Sequence, residues 1–247
     1  MPVELILSPL MRPVVRAKSI LFSPHRNQSH YIPQIREMPT NVSQYAVVRR
    51  FGSGSKIFDV FDTQCGAMPV GPNNPKERIF WFQRSRAVKG AYRMYSSAIL
   101  GTGPQGQDEP VANVRAGLRG NVLLIRAPDA PAAELGWHVV SHRVDAIDSY
   151  RMFTMNNGQT YQWTFRGQWL ELVHNVGEKE SEIRERIGRV VINGTSGFTL
   201  YLDESKMIRE IALGTALCSF IDQWNTNLEV GGIYGGRSVE RVRWKRD

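Results

Sequence analysis

The segment Ser205-Lys-Met-Ile-Arg-Glu-Ile-Ala-Leu-Gly-Thr-Ala-Leu-Cys-Ser-Phe-Ile-Asp-Gln-Trp224 narrows the possible folds more than any other stretch. From Met207 onward, Ile208, Ile211, Ala212, Leu213, Ala216, Leu217, Cys218, Phe220 and Ile221 form no single stripe on a helical projection. A helix that is hydrophobic on every side has to be surrounded on every side. A bilayer would do this, but the apolar run is too short to span one, and Arg209, Glu210 and Asp222 bracket it. A helix over 205–224 is therefore expected inside the protein, with Asp203 or Ser205 as its N-cap.

What encloses it must be built from strands. Gln44–Val48, Lys56–Asp62, Arg78–Gln83, Ala91–Tyr95, Val111–Ala116 and Val122–Ile125 are β-rich and punctuated by turn residues. Trp137–Val144 and Ser149–Met155 lead into Asn156-Asn-Gly158, a strong hairpin signal. Tyr161, Trp163 and Phe165 then alternate with polar residues, and Arg166-Gly167 turns the chain into Gln168–His174. Val190–Ile192, Asn193-Gly194 and Phe198–Leu202 make a last hairpin. Between them, Glu178–Ile187 carries Glu180/Arg184 and Glu182/Arg186 at helical spacing, which predicts a short exposed helix or a long loop. Roughly ten to twelve strands at short, regular spacing predict a closed antiparallel β-barrel around the helix. The chain then divides into an extended, Pro-punctuated arm (1–43), the barrel (44–228) and a Gly-rich, basic tail (229–247).

The hairpin Ile187-Gly-Arg-Val-Val-Ile192…Phe198-Thr-Leu-Tyr-Leu202 followed by a helix with Thr215-Ala-Leu217 and Phe220-Ile-Asp222 resembles the tubby-like superfamily. That group comprises the Tubby carboxy-terminal domain, the phospholipid scramblases and the LURP-one-related proteins. The resemblance covers 44–228 and implies a twelve-stranded barrel threaded by a central helix. The scramblase features (membrane-spanning end, cysteine-rich acylated run, Pro-rich leader) are missing, so the likeness is to the small soluble members. In Tubby proper a basic pocket holds a phosphoinositide head group. The idea carries over as an expectation, but the pocket residues do not align.

The formal charge of +8 points toward acidic partners: anionic lipid, nucleic acid or another polyanion. The basic residues gather in two segments. Arg84, Arg86, Lys89 and Arg93 cluster around one strand connection, interleaved with Trp81, Phe82, Tyr92 and Tyr95. If the strand continues, Arg84 and Arg86 share a face. Arg241, Arg243, Lys245 and Arg246 crowd the tail. These eight are the candidate lipid-binding residues. A protein-interaction or regulatory scaffold is the competing reading, and nucleic-acid binding a third, favoured by the same charge and aromatics.

Other patterns fall short of chemistry. Gly101-Thr-Gly103-Pro-Gln-Gly106 matches a dinucleotide fingerprint after the possible strand Ser97–Leu100, but Pro104 and Pro110 exclude the helix that must open there. His138 and His142 lie four apart, with His174 as a conceivable third ligand, but a strand histidine commonly faces solvent and zinc needs three or four converging donors. Ser141, His142 and Asp145 are neighbours in sequence without a nucleophile elbow, and Cys65 has no local partner to lower its pKa. No catalytic residue, metal or cofactor is therefore expected. With two cysteines and no disulfide framework, a reducing, cytoplasmic location is expected, peripheral at a membrane if lipid binds, and the sequons Asn41-Val-Ser43 and Asn193-Gly-Thr195 would be idle there. Arg12, Arg16, Lys18 and Arg26 give the N-terminus a faint transit-peptide character that Pro2, Pro9 and Pro13 oppose.

Overall fold

The computed structural model describes residues 33–50, 57–63, 78–86, 88, 90–99, 108–116, 120–126, 134–144, 149–178, 181–194 and 196–224. Thirteen strands appear in this order: β1 (Gln34–Arg36), β2 (Ser43–Arg49), β3 (Ile57–Asp62), β4 (Arg78–Arg84), β5 (Ala91–Ser96), β6 (Ala112–Arg115), β7 (Gly120–Leu124), β8 (Gly136–Val144), β9 (Ser149–Thr154), β10 (Thr160–Thr164), β11 (Trp169–His174), β12 (Ile183–Ile192) and β13 (Gly197–Leu202). Each of β2 to β12 pairs antiparallel with its successor, and β13 pairs back onto β2. These twelve strands form the expected closed barrel, which leaves no open edge. β1 is the extra strand, added parallel to the start of β12 through Gln34↔Ile183 and Arg36↔Glu185, so this part of the arm is docked.

Period-two alternation explains why these segments close around something. Tyr45, Val47, Phe58, Val60, Phe80, Phe82, Tyr92 and Met94 face inward and are almost fully buried. They and their counterparts on later strands surround α1 (Arg209–Ser219), which a single π turn, Phe220–Trp224, continues. Every residue from Glu210 to Ser219 is buried. Gly214 lies against Val114 and Val122, where an added Cβ would come within 3.2 Å of both side chains. Its missing side chain lets the helix approach β6 and β7 closely. At the far end Phe220 packs on Phe58 and Phe198, and Trp224 meets Trp163 edge-on.

The helix starts later than its sequence predicts. Ile208 is the N-cap and offers no side-chain oxygen; Asp203 Oδ1 instead accepts from the Ser205 N–H and hydroxyl, shaping the preceding turn. Ser97–Ile99 is a single 3-10 turn rather than strand.

The larger correction is at Glu178–Ile187. Instead of a short exposed helix or a long loop, a tight turn closed by the Glu182 N–H on the Glu178 carbonyl at 2.9 Å leads into the ten-residue strand β12, which starts at Ile183. Glu182 and Arg184 are two apart and pair with each other on the buried outer side of the wall at 2.7 Å. Arg186 reaches not Glu182 but both oxygens of Glu37, at 2.9 Å each.

Candidate functional site

Within the ring β2–β13, even-numbered strands run parallel to α1 and odd-numbered strands against it. The barrel therefore has one end where the helix begins and another where it finishes, termed upper and lower here. Ionisable groups divide between these ends.

At the upper end Glu134, Glu185, Asp203, Glu204 and Glu210 gather near the helix start. Tyr45 donates its hydroxyl to Glu204, and burial, followed by that carboxylate, pushes the phenol well above its usual range. The Tyr161 hydroxyl shares its one proton between two acceptors, Gln159 Oε1 at 2.8 Å and the Lys206 carbonyl at 2.9 Å. Burial first, and then Glu134 and Glu185, push its pKa up to about 12. Lys206 and His174 stand 3.2 and 3.4 Å from Glu185. Although burial would raise its pKa, these two partners hold it below the ordinary carboxylate value.

At the lower end the excess among the described residues is positive. Two acids nearer that end are neutralised by arginines: Asp222 by Arg151, and Asp59 by Arg50, with Arg78 at 3.4 Å. β4 finishes at Arg84, Ser85 N–H donates to the Ala91 carbonyl at 2.8 Å, and Arg86 stands exposed in the bend beyond. The strand does not continue through Arg86, so the expected shared face does not form. Arg84 pairs with Tyr92 and has the inward phase at the rim, whereas Arg93, opposite Gln83, points outward and is exposed. Arg115, which no sequence pattern singled out, lies opposite Ala91 and is also exposed.

The ends of β4 and β6 thus flank the start of β5. At a strand spacing of about 4.8 Å, their backbones lie within about 10 Å of each other. Arg86, Arg93 and Arg115 have no ion-pair partner among the described residues. Lys89, Arg241, Arg243, Lys245 and Arg246 lie outside the described residues. The interleaved aromatics are not beside these cations as free platforms. Phe82 and Tyr92 belong to the core, and Trp81 stacks on Tyr95 at 5.1 Å beneath Arg78.

No family model, curated protein or solved structure matches this chain. The site has to be read from its own residues.

His138 and His174 do not converge. His138 faces the interior, fully buried, with Nε2 2.9 Å from the Glu134 carbonyl oxygen; the expectation of a solvent-facing side chain is wrong because β8 turns its even-numbered residues inward. His174 contacts Glu185 three strand intervals away round the barrel. The His142 side chain, Asp145, Cys65 and Gly101–Gly106 lie outside what is described. Ser141 is exposed and donates to the Met152 carbonyl at 3.2 Å. Among the described residues no group of three or more His, Cys, Asp or Glu could hold a metal, and no helix is long and apolar enough to cross a membrane.

Proposed function

We propose that this chain is a non-enzymatic, tubby-like barrel that docks on an anionic membrane surface through Arg84, Arg86, Arg93 and Arg115, with phosphoinositide head groups as the ligand class. The observation that carries the reading is the segregation of charge along the barrel axis. Among the described residues, Arg86, Arg93 and Arg115 gather at one lower corner, while the acids lie toward the opposite end, where Lys206 and Arg209 stand among them, or are neutralised by partners. A charge distributed for solubility alone would have no reason to converge in this way. Arg86, Arg93 and Arg115, exposed and without acidic partners among the described residues, keep their full attraction for phosphate oxygens, which guanidinium groups bind in bidentate fashion.

The expected strength is modest. At about 1 kcal/mol per basic residue near an anionic surface, the three exposed arginines supply about 3 kcal/mol. That corresponds to binding in the millimolar range on its own.

Co-sedimentation with vesicles, with and without phosphoinositide and at two salt concentrations, is the test. Arg86→Glu, Arg93→Glu and Arg115→Glu are suitable because all three side chains are exposed, so the fold should survive. Wild type is expected to bind anionic vesicles in a salt-sensitive way and the triple variant to bind at least tenfold less. Equal binding by both would sink the lipid reading. Binding by neither would leave the protein-interaction scaffold in possession.

A further inference from the structure

Among the described residues, the two most exposed large apolar side chains stand on one strand, β8. Its inward residues His138 and Val140 are fully buried, while the alternating Trp137 and Val139 are 60% and 63% exposed. An antiparallel strand with one solvated face ordinarily places polar residues there. Leu123 pairs with Trp137 on β7, and Ile125 and Leu135 extend the exposed apolar surface at the upper ends of these two strands. Single exposed apolar residues need no explanation, but a contiguous wall of them does.

The wall's neighbours indicate what covers it. Outward positions run across the sheet from Arg93 to Asn113, from Asn113 to Leu123 and from Leu123 to Trp137. Arg115 lies opposite Asn121, which in turn pairs with Val139. The apolar surface on β7–β8 is therefore continuous with the exposed arginines on β5–β6, three strand intervals from end to end. A bilayer interface meets both requirements on one plane. Its phosphates are complementary to the arginines, and its boundary with the acyl chains accommodates tryptophan. Cationic attraction of the strength derived above gives only weak binding, and stable attachment takes a second signal.

We infer that the outer wall formed by Leu123, Ile125, Leu135, Trp137 and Val139 is the membrane-inserting face of this protein, so that the barrel lies on its side with β5–β8 against an anionic bilayer. This rests on the lipid reading above and adds to it a face, an orientation and an apolar anchor.

The test uses full-length protein and vesicles of phosphatidylcholine with and without phosphatidylserine, containing brominated acyl chains. Trp137→Glu combined with Val139→Glu is expected to weaken binding to anionic vesicles about tenfold or more while leaving the melting temperature near wild type. Bromine should quench wild-type fluorescence more than that of Trp137→Phe, the difference reporting Trp137 itself. Undiminished binding by the double Glu variant, with no Trp137-dependent quenching, would overturn the inference and leave the arginine-mediated reading standing. If wild type binds neither these vesicles nor the phosphoinositide-containing ones of the co-sedimentation test, both fall. Conversion of a wild-type dimer to a monomer by the double Glu variant, without any effect on vesicles, would assign the wall to a second copy and also overturn it.

Discussion

Thr215 sits on the helix at full burial and accepts a hydrogen bond from the Trp163 indole N–H at 3.0 Å, while its own hydroxyl lies 2.8 Å from the Ile211 carbonyl. Thr215→Val preserves shape but leaves the indole N–H of a fully buried tryptophan without an acceptor. The expected loss is about 1–3 kcal/mol in urea unfolding. Thr215→Ser should recover most of it, since it keeps the oxygen. Cys218 is another buried group in the same helix; burial first, and Asp222 second, push its thiol up to about 12, so it is built to stay protonated. Single residues show where sequence reading succeeds and where it stops. Arg84, Arg86 and Arg93 were visible as a cluster because they are near one another in the chain. Arg115 was not, since only the β5–β6 pairing brings it beside Ala91. The interior position of His138 was equally hidden, because a strand's phase is fixed by which of its faces meets the core and the four-residue spacing is the same for either face.

β12 shows how an element can be misread. Charges four apart suggested helical pairs, whereas on a strand the partners are two apart, and Glu182 pairs with Arg184. Period-two alternation was masked because the outer side of the wall is itself buried there, so charged residues occupy positions that would otherwise read as solvent-facing. Burial would raise the Glu182 pKa, but the Arg184 side chain and the Gly177 N–H at 3.2 Å hold it below the ordinary value of 4.5. Arg184 also donates to the Tyr150 hydroxyl at 2.8 Å. In Glu182→Gln the new amide NH2 has to face one of these donors, Arg184 or Gly177, and the Arg184 guanidinium loses its carboxylate. The cost should reach up to about 3–5 kcal/mol at neutral pH. A depressed carboxylate contributes stability that is complete above its unfolded value and is lost as pH falls through the lower folded one. The gap between wild type and Glu182→Gln should therefore be constant at neutral pH and narrow below pH 4.5. Chemical unfolding of both proteins across that range checks it, and a gap independent of pH would show that the carboxylate charge is not what Arg184 needs.

The barrel and its helix depend on each other. The ring of twelve strands encloses side chains that all turn toward α1, and the Arg151–Asp222 pair, Trp224 Nε1 to the Thr164 carbonyl and Gln223 Nε2 to the Ser149 carbonyl fasten the helix at the lower rim. A chain ending at Asp203–Glu204 should lack a cooperative unfolding transition and collect in the insoluble fraction. A soluble, cooperatively melting truncation would mean that the barrel closes without its filling. The gross architecture was legible because an all-round apolar helix and regular strand spacing each exclude most alternatives. The charge polarity was not, since it depends on which loop emerges at which end. The order of synthesis adds a further consequence. The ribosome releases every strand before it releases the helix they enclose, and the β2–β13 seam joins segments from nearly opposite ends of the described chain. Unlike a protein that can condense from its N-terminus while translation continues, this one must hold a long ribbon of half-apolar strands unfinished until its last turn of helix clears the exit tunnel. It should therefore depend heavily on holding chaperones in the cell and be sensitive to stalled or slowed translation of the stretch that encodes α1.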